Sequence, residues 1–82
     1  MVYIIRFEEE HSGLVSSGIS YVYDKEENAR SMLKAIKSDE LENYDEDDIV
    51  EIIESDDEFT IDLGDDYVKF IIERYSIIKG DE

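Results

Sequence analysis

The chain has 82 residues, 41% of them hydrophobic, and carries a formal net charge of −16 from 24 acidic and 8 basic side chains. This length allows one domain, and the content of Ile, Val and Tyr is that of a folded protein, not a disordered one. The absence of cysteine excludes a disulfide framework, a thiolate zinc site and a cysteine nucleophile. No apolar run approaches the roughly 20 residues that span a bilayer, and no signal peptide opens the chain, so we expect a cytoplasmic protein.

The negative charge exceeds what solubility requires. A net charge of magnitude about 2–8 keeps a small domain soluble, and self-repulsion beyond that opposes the compact state. A cationic protein partner, bound cations or a high-salt cell would each account for the excess. Anionic membranes and free nucleic acid would both be repelled, so we expect neither as a partner.

The first residues predict two strands joined by a polar connection. Residues 2–8 are rich in β-branched and aromatic side chains and have apolar positions on both faces, which indicates an interior strand. Residues 8–18 form the connection, with two glycines and three serines. A second strand follows over residues 19–23, with Ile19 and the two tyrosines on one face.

Residues 25–37 predict an amphipathic helix. Asp24 is a suitable N-cap residue, and Glu27 stands three positions later as its partner in a capping box. The apolar stripe of this helix, spaced i, i+3, i+4 and i+7, consists of Ala29, Met32, Leu33 and Ile36.

The second half predicts three further strands. Residues 38–48 have few apolar side chains and are predicted as a loop or a short helix, whereas residues 49–54 fit a strand or a helix, of which we favour the strand. Residues 59–63 alternate as a strand does, with Phe59, Ile61 and Leu63 on one side. A turn at Gly64, which can adopt positive φ, leads into a final strand over residues 67–78, whose predicted inward face consists of Val68, Phe70 and Ile72. The order ββαβββ predicts a two-layer α+β domain, a mostly antiparallel sheet of four to five strands packed against one helix.

The residue types argue against an enzyme and against a built metal site. The single histidine, His11, stands beside three glutamates in a polar segment, where a surface role is favoured over that of a general base. A catalytic carboxyl needs a pKa raised by burial, but strand alternation places most of these acids in turns or on open faces. An EF-hand loop that began at Asp45 or Asp56 would have Val50 or Ile61 at the position that requires glycine. Weak, diffuse binding of Ca²⁺ or Mg²⁺ stays open, and we predict no cofactor.

Residues 38–68 concentrate the negative charge, with 15 acids and no Lys, Arg or His. The simplest interpretation is a solvated face that maintains solubility. The more specific interpretation is that the carboxylates substitute for phosphates. Arg lines nucleic-acid-binding grooves, and it pairs with carboxylates and phosphates in similar bidentate geometry. Tyrosines within or beside the acids would suit the centre of an interface. The predicted partner-binding residues are Asp39, Glu40, Glu42, Tyr44, Asp45, Glu46, Asp47, Asp48, Asp56, Asp57, Glu58, Asp65, Asp66 and Tyr67.

Three features together resemble small phage-encoded proteins: the acids of residues 38–68, the helix sequence DKEENARSMLKAIK and the strand sequence KFIIERYSII. In particular, they are similar to anti-CRISPR proteins, which block Cas9-type effectors by mimicking nucleic acid. The resemblance implies a phage protein that acts in the host bacterial cell on an Arg- and Lys-rich nuclease surface.

We therefore expect a non-enzymatic inhibitor that binds a basic nucleic-acid-binding protein, such as a Cas9-type nuclease or its ribonucleoprotein, without itself contacting nucleic acid. The alternatives are an immunity-type protein that neutralises a basic nuclease toxin, another phage anti-defence or anti-restriction protein, and a cation-responsive or structural phage component. The sequence leaves the oligomeric state open, since an isolated edge strand would permit a dimer.

Overall fold

The computed structural model describes residues 1–76 and shows an antiparallel five-stranded sheet with one α-helix on one of its faces. The strands lie in the spatial order β2-β1-β5-β4-β3, so β2 and β3 form the two edges of the sheet. This architecture confirms the predicted two-layer α+β fold. The elements in chain order are β1 (Val2–His11), β2 (Leu14–Tyr23), α1 (Glu26–Glu42), a 3₁₀ turn (Glu46–Asp48), β3 (Glu51–Glu54), β4 (Glu58–Asp62) and β5 (Tyr67–Tyr75).

The hairpin of β1 and β2 is longer than predicted. Strand pairing reaches His11 opposite Leu14, which reduces the predicted connection at residues 8–18 to a two-residue turn. The turn residues, Ser12 and Gly13, both have positive φ. Such turns match the right-handed twist of the flanking strands. The polar side chains of this segment concealed the strand, because neither of its faces is buried there.

A β-bulge in β2 overturns the prediction that Ile19 shares a face with the two tyrosines. Tyr21 lies opposite Ile5, whereas Ile19 lies opposite Arg6. Ser20 is therefore the extra residue of the bulge, and it shifts the alternation by one position. Tyr21 consequently faces α1, and Ile19 lies on the opposite face of the sheet.

Helix α1 differs from its prediction at both ends. It continues past Lys37 because Leu41 packs against the core and extends the apolar stripe. Its N-cap is Lys25, and no side chain caps the helix, so the predicted capping box of Asp24 and Glu27 is absent. Within residues 1–76, no helix combines the length and apolar composition that a membrane span requires.

The core lies between α1 and the helix-facing side of the sheet. Phe59 is 1% exposed, and its ring stacks on that of Phe70 at a centroid distance of 5.1 Å. The predicted inward face of β5 is confirmed, since all three of its predicted members are buried. The buried core consists of Ile5, Ala29, Leu33, Phe59, Ile61, Val68, Phe70 and Ile72.

The later elements follow the predicted order with shifted boundaries. A short β3 confirms a strand rather than a helix in residues 49–54. Residues 38–48 are neither a plain loop nor a separate short helix, because α1 runs through their first part and a 3₁₀ turn occupies their end. Gly64 joins β4 to β5 at a φ of +92°, as predicted. β5 ends at Tyr75, and residues 77–78 of the predicted final strand lie outside the described residues.

The second face of the sheet, which we call the open face, is not covered by any element of residues 1–76. Arg6 and Glu73 form an ion pair on it. Hydrogen bonding from Tyr75 and Arg6 lowers the pKa of Glu73. The apolar members of the open face on the outer strands are Val15, Ile19, Val22 and Ile53, each more than half exposed.

Candidate functional site

The predicted acidic residues divide between the two ends of the sheet. Residues 56–58 lie where β4 begins, and residues 65–66 lie in the turn after β4 ends. A five-residue strand separates these groups by roughly 15 Å, at about 3.3 Å per residue. The predicted set therefore does not form one continuous surface.

One end of the molecule, which we call the acidic end, is formed by residues 9–16, 40–51 and 62–67. The hairpin turn and the β4–β5 turn meet there, since the Ser12 amide donates to Asp66 Oδ1 at 3.1 Å. The Val50 amide donates to the Asp62 carbonyl oxygen at 2.8 Å and so joins residues 40–51 to residues 62–67. These segments contain no Lys or Arg. Their twelve acids, half of those in the chain, are Glu9, Glu10, Glu40, Glu42, Asp45, Glu46, Asp47, Asp48, Glu51, Asp62, Asp65 and Asp66.

The acidic end includes four acids that the sequence interpretation did not select. Glu9 and Glu10 come from β1, and Glu51 and Asp62 come from paired positions of β3 and β4. The run of three consecutive glutamates before His11 was the available signal for the first two. Asp39 was predicted and lies on α1 just before the acidic end.

A groove of about 320 Å³ opens at the acidic end. Tyr44 lines it and is partly buried. Burial raises the pKa of the Tyr44 hydroxyl, and the charges of Glu40 and Glu9 raise it further. The groove places an aromatic ring among carboxylates, an arrangement that suits a guanidinium group from another protein. Its lining includes Glu9, Tyr44, Asp48, Leu63, Asp66 and Val68.

Glu40 is an acid whose surroundings in the acidic end disfavour its charged form. Burial raises the pKa of Glu40, and the negative charge of Glu9 raises it further. Folding therefore disfavours the charged form of Glu40. When the pH is below the pKa that Glu40 has in the unfolded chain, its carboxyl is protonated in both states and costs no stability. As the pH rises through the pKa that Glu40 has in the folded state, the carboxyl becomes charged and the free energy of unfolding falls.

We expect Glu40→Gln to stabilise the domain at about pH 7 and to leave its stability unchanged at about pH 3. The variant removes a carboxylate that the fold disfavours when charged, so the difference from the parent should grow as the pH rises. Urea unfolding at several pH values measures it. Glu42→Gln is the matched control, because Glu42 is exposed and also lies in the last turn of α1. Equal stabilisation by both variants at every pH would contradict the role given to Glu40.

Tyr67 forms a side-chain hydrogen bond within the chain. Its hydroxyl donates to Glu8 Oε2 at 2.8 Å. This hydrogen bond raises the pKa of Tyr67. Tyr67 lies on the open face opposite Glu10 and Asp62, so the structure separates it from Tyr44, with which it was grouped.

Asp57, at the opposite end of the sheet, is paired with arginine inside the chain. Arg30 Nη2 and Arg74 Nη2 lie 3.2 and 3.0 Å from its carboxylate oxygens. Both arginines also contact Glu26 Oε1, at 2.8 and 2.6 Å. Burial acts to raise the pKa of Asp57, but hydrogen bonds from Arg74 and Arg30 outweigh it and lower the pKa. Asp57 therefore joins the sheet to α1.

The other two acids of that end have mixed surroundings. Asp56 borders a groove that also contains Lys34 and Lys37. Glu58 lies on the open face opposite Ile71. Among residues 1–76, no three His, Asp or Glu side chains come together in a way that could hold a metal ion. The acidic end is thus the place where negative charge accumulates without intervening Lys or Arg.

Comparison with known proteins assigns no family to this chain. No protein-family model matches it, and neither a curated protein nor a solved structure does. The resemblance to anti-CRISPR proteins therefore rests on the acids of residues 38–68 and on the sequences of the helix and the last strand.

Proposed function

We propose that this protein is a non-enzymatic inhibitor that inserts its acidic end into the cationic groove of a nucleic-acid-binding protein and thereby excludes DNA or RNA. One observation carries the proposal: twelve acids from three separate segments converge on one end that contains no Lys or Arg. Inhibition of this kind requires only that the chain occupy the cationic groove of its target, and it requires no chemical step.

Physical chemistry supports carboxylates as substitutes for phosphates at this end. Arg forms similar bidentate hydrogen bonds with either group. A groove lined by Lys and Arg gains affinity from neutralising negative charge and releasing counterions. The carboxylates of the acidic end stand on paired strands, a helix end and a 3₁₀ turn. This support reduces the conformational entropy lost on binding.

The proposed target class is the CRISPR effector nuclease, with a Cas9-type enzyme as the first candidate. This choice follows from the resemblance in acidic charge and in the sequences of the helix and the last strand. In such effectors the surface that reads the short motif beside the target and the channel for the displaced strand are rich in Arg and Lys. Either surface would attract the acidic end over long range and accelerate association.

Binding to a guide-loaded Cas9-type ribonucleoprotein tests the proposal. We expect the chain to bind the free ribonucleoprotein, to lose binding when the ribonucleoprotein is first saturated with target DNA, and to inhibit DNA cleavage. The logarithm of Kd should rise steadily with the logarithm of salt between about 50 and about 500 mM NaCl. Affinity that is indifferent to both DNA and salt would contradict the proposal. If the chain instead binds a basic nuclease toxin, it would still be an inhibitor, and its target would be the toxin.

A further inference from the structure

Strand β2 is an edge strand that lacks most of the features by which edges normally resist pairing. It is the outermost strand of the sheet, and its outer edge has no strand neighbour in the described part of the chain. Its sequence, LVSSGISYVY, contains no charged residue and no proline, although 39% of the whole chain is charged. Leu14, Val15 and Val22 are 74, 60 and 58% exposed. Natural edge strands are usually short, charged or interrupted by proline, because an open edge is a template for another strand.

The opposite edge of the same sheet is protected in the usual way. β3 has only four residues, Glu51–Glu54, and a glutamate at each end. Glu54 also forms an ion pair with Lys37 of α1. A short, charged edge of this kind discourages strand addition. The chain therefore distinguishes its two edges, and β2 is the one suited to accept a strand.

We propose that β2 pairs with β2 of a second copy of this chain, which would join the two sheets into one continuous antiparallel sheet. A two-fold axis perpendicular to the sheet produces this arrangement and leaves both helices on the same face. Ile19 and Val22 would then pack against the partner's residues on the open face, and Tyr21 would do so on the face toward α1. These side chains are 54, 58 and 45% exposed in the single chain, and cross-strand apolar pairs are what stabilise such a junction.

The distribution of charge indicates where and in which orientation a second copy can dock, because two acidic copies repel one another least along an uncharged strand. β2 begins at the acidic end, where Leu14 pairs with His11, and it ends just before α1, where Lys25 and Arg30 stand among Asp24, Glu26 and Glu27. Antiparallel pairing sets the acidic end of each copy beside the mixed-charge end of the other and keeps the two acidic ends apart. A basic partner would gain nothing electrostatic from this uncharged edge, which shares only residues 14–16 with the acidic end of the proposed inhibitor function.

The bulge at Ser20 bends β2 but adds no charge to it. Residues 14–19 precede the bulge and residues 21–23 follow it, and both segments are uncharged. Bulges can twist an edge away from pairing, but here an uninterrupted uncharged run remains on the longer side. That run supplies the main-chain donors and acceptors that a second strand needs.

Sedimentation equilibrium of the full chain, from about 10 to about 500 µM, tests the dimer. We expect the mass to approach twice the 9.6 kDa of one chain. Association should strengthen between about 50 and about 500 mM NaCl, because salt screens the repulsion between two acidic copies. This salt dependence is opposite in sign to that expected for the basic target, and the measurement needs no target, so failure of either proposal leaves the other intact. A chain that stays monomeric over the whole range would overturn the dimer.

Two matched variants locate the contact. Ile19→Glu and Ile53→Glu introduce the same side chain on the open face of the two edge strands, at original exposures of 54 and 53%. Ile19→Glu should weaken association by at least about tenfold, because it sets like charges close together across the junction. Ile53→Glu should dimerise as the parent does. Loss of the dimer in Ile53→Glu alone, or its survival in both variants, would overturn the assignment to β2.

Amide hydrogen exchange of the unmodified chain gives a second measurement that does not depend on the variants folding. Within residues 1–76, the amides of β2 that are paired are those that face β1. Pairing with a second copy should protect further amides within residues 14–23 as the concentration rises, while those of β3 stay unchanged. A dimer without new protection in β2 would overturn the proposal.

Discussion

Replacing Phe59 with alanine should unfold most of the protein at low ionic strength. The side chain is 1% exposed and stacks on Phe70 in the centre of the core. Deleting a buried phenylalanine costs about 3–5 kcal/mol. A chain of this length has a total stability of about 4–12 kcal/mol, and a net charge of −16 lowers it further through self-repulsion. The loss is therefore comparable to the whole margin of stability.

Urea unfolding followed by circular dichroism measures this loss. Ile53→Ala is the control, because Ile53 is 53% exposed and its truncation should change stability by less than about 0.5 kcal/mol. Raising NaCl to about 0.5 M should stabilise the parent and recover part of the folded Phe59→Ala population, since the Debye length falls to a few ångström. A parent whose unfolding does not respond to salt would show that self-repulsion has little effect on this fold.

The fold could be predicted because the buried positions follow strict periodicities. Alternation in β4 and β5 marked Phe59 and Phe70 for the same side of the sheet, and helical spacing marked Leu33 for the facing surface; all three are buried. Features that depend on one extra residue could not be predicted in this way. The bulge at Ser20 changes the face of Ile19, and nothing in the local sequence requires an insertion there.

Part of the division of the acids between the two ends of the sheet could be predicted from the predicted topology. Two successive hairpins place their turns at opposite ends of the shared strand, so residues 56–58 and 65–66 had to lie apart once β3, β4 and β5 were predicted in that order. The run of glutamates before His11 was a signal that Glu9 and Glu10 carry charge, but their place at the acidic end could not be predicted from the sequence. That place depends on the pairing of β1 with β5, a contact between residues far apart in the chain. Such pairings depend on packing of the whole domain and leave little trace in a local pattern.

Replacing Asp45, Asp47 and Asp48 together with lysine should weaken binding to the basic target by at least about a hundredfold, or about 2.7 kcal/mol. All three residues are exposed, and Asp48 lines the same groove as Tyr44. Reversal replaces attraction by like-charge contact with the target's Lys and Arg, which costs several kcal/mol. The fold should persist, because the 3₁₀ turn is closed by the Asp48 amide and the Asp45 carbonyl oxygen at 3.0 Å, and substitution leaves both in place.

A second triple variant separates position from total charge. Lysine at the exposed residues Asp24, Glu27 and Asp56 changes the net charge by the same amount, but at the end of the sheet opposite the acidic end. Long-range steering depends on total charge, so both triples should slow association. Contact with the target depends on position, so only the triple at the acidic end should accelerate dissociation. Dissociation rates measured on immobilised target discriminate the two effects, and equal acceleration in both triples would mean that the target does not recognise the acidic end.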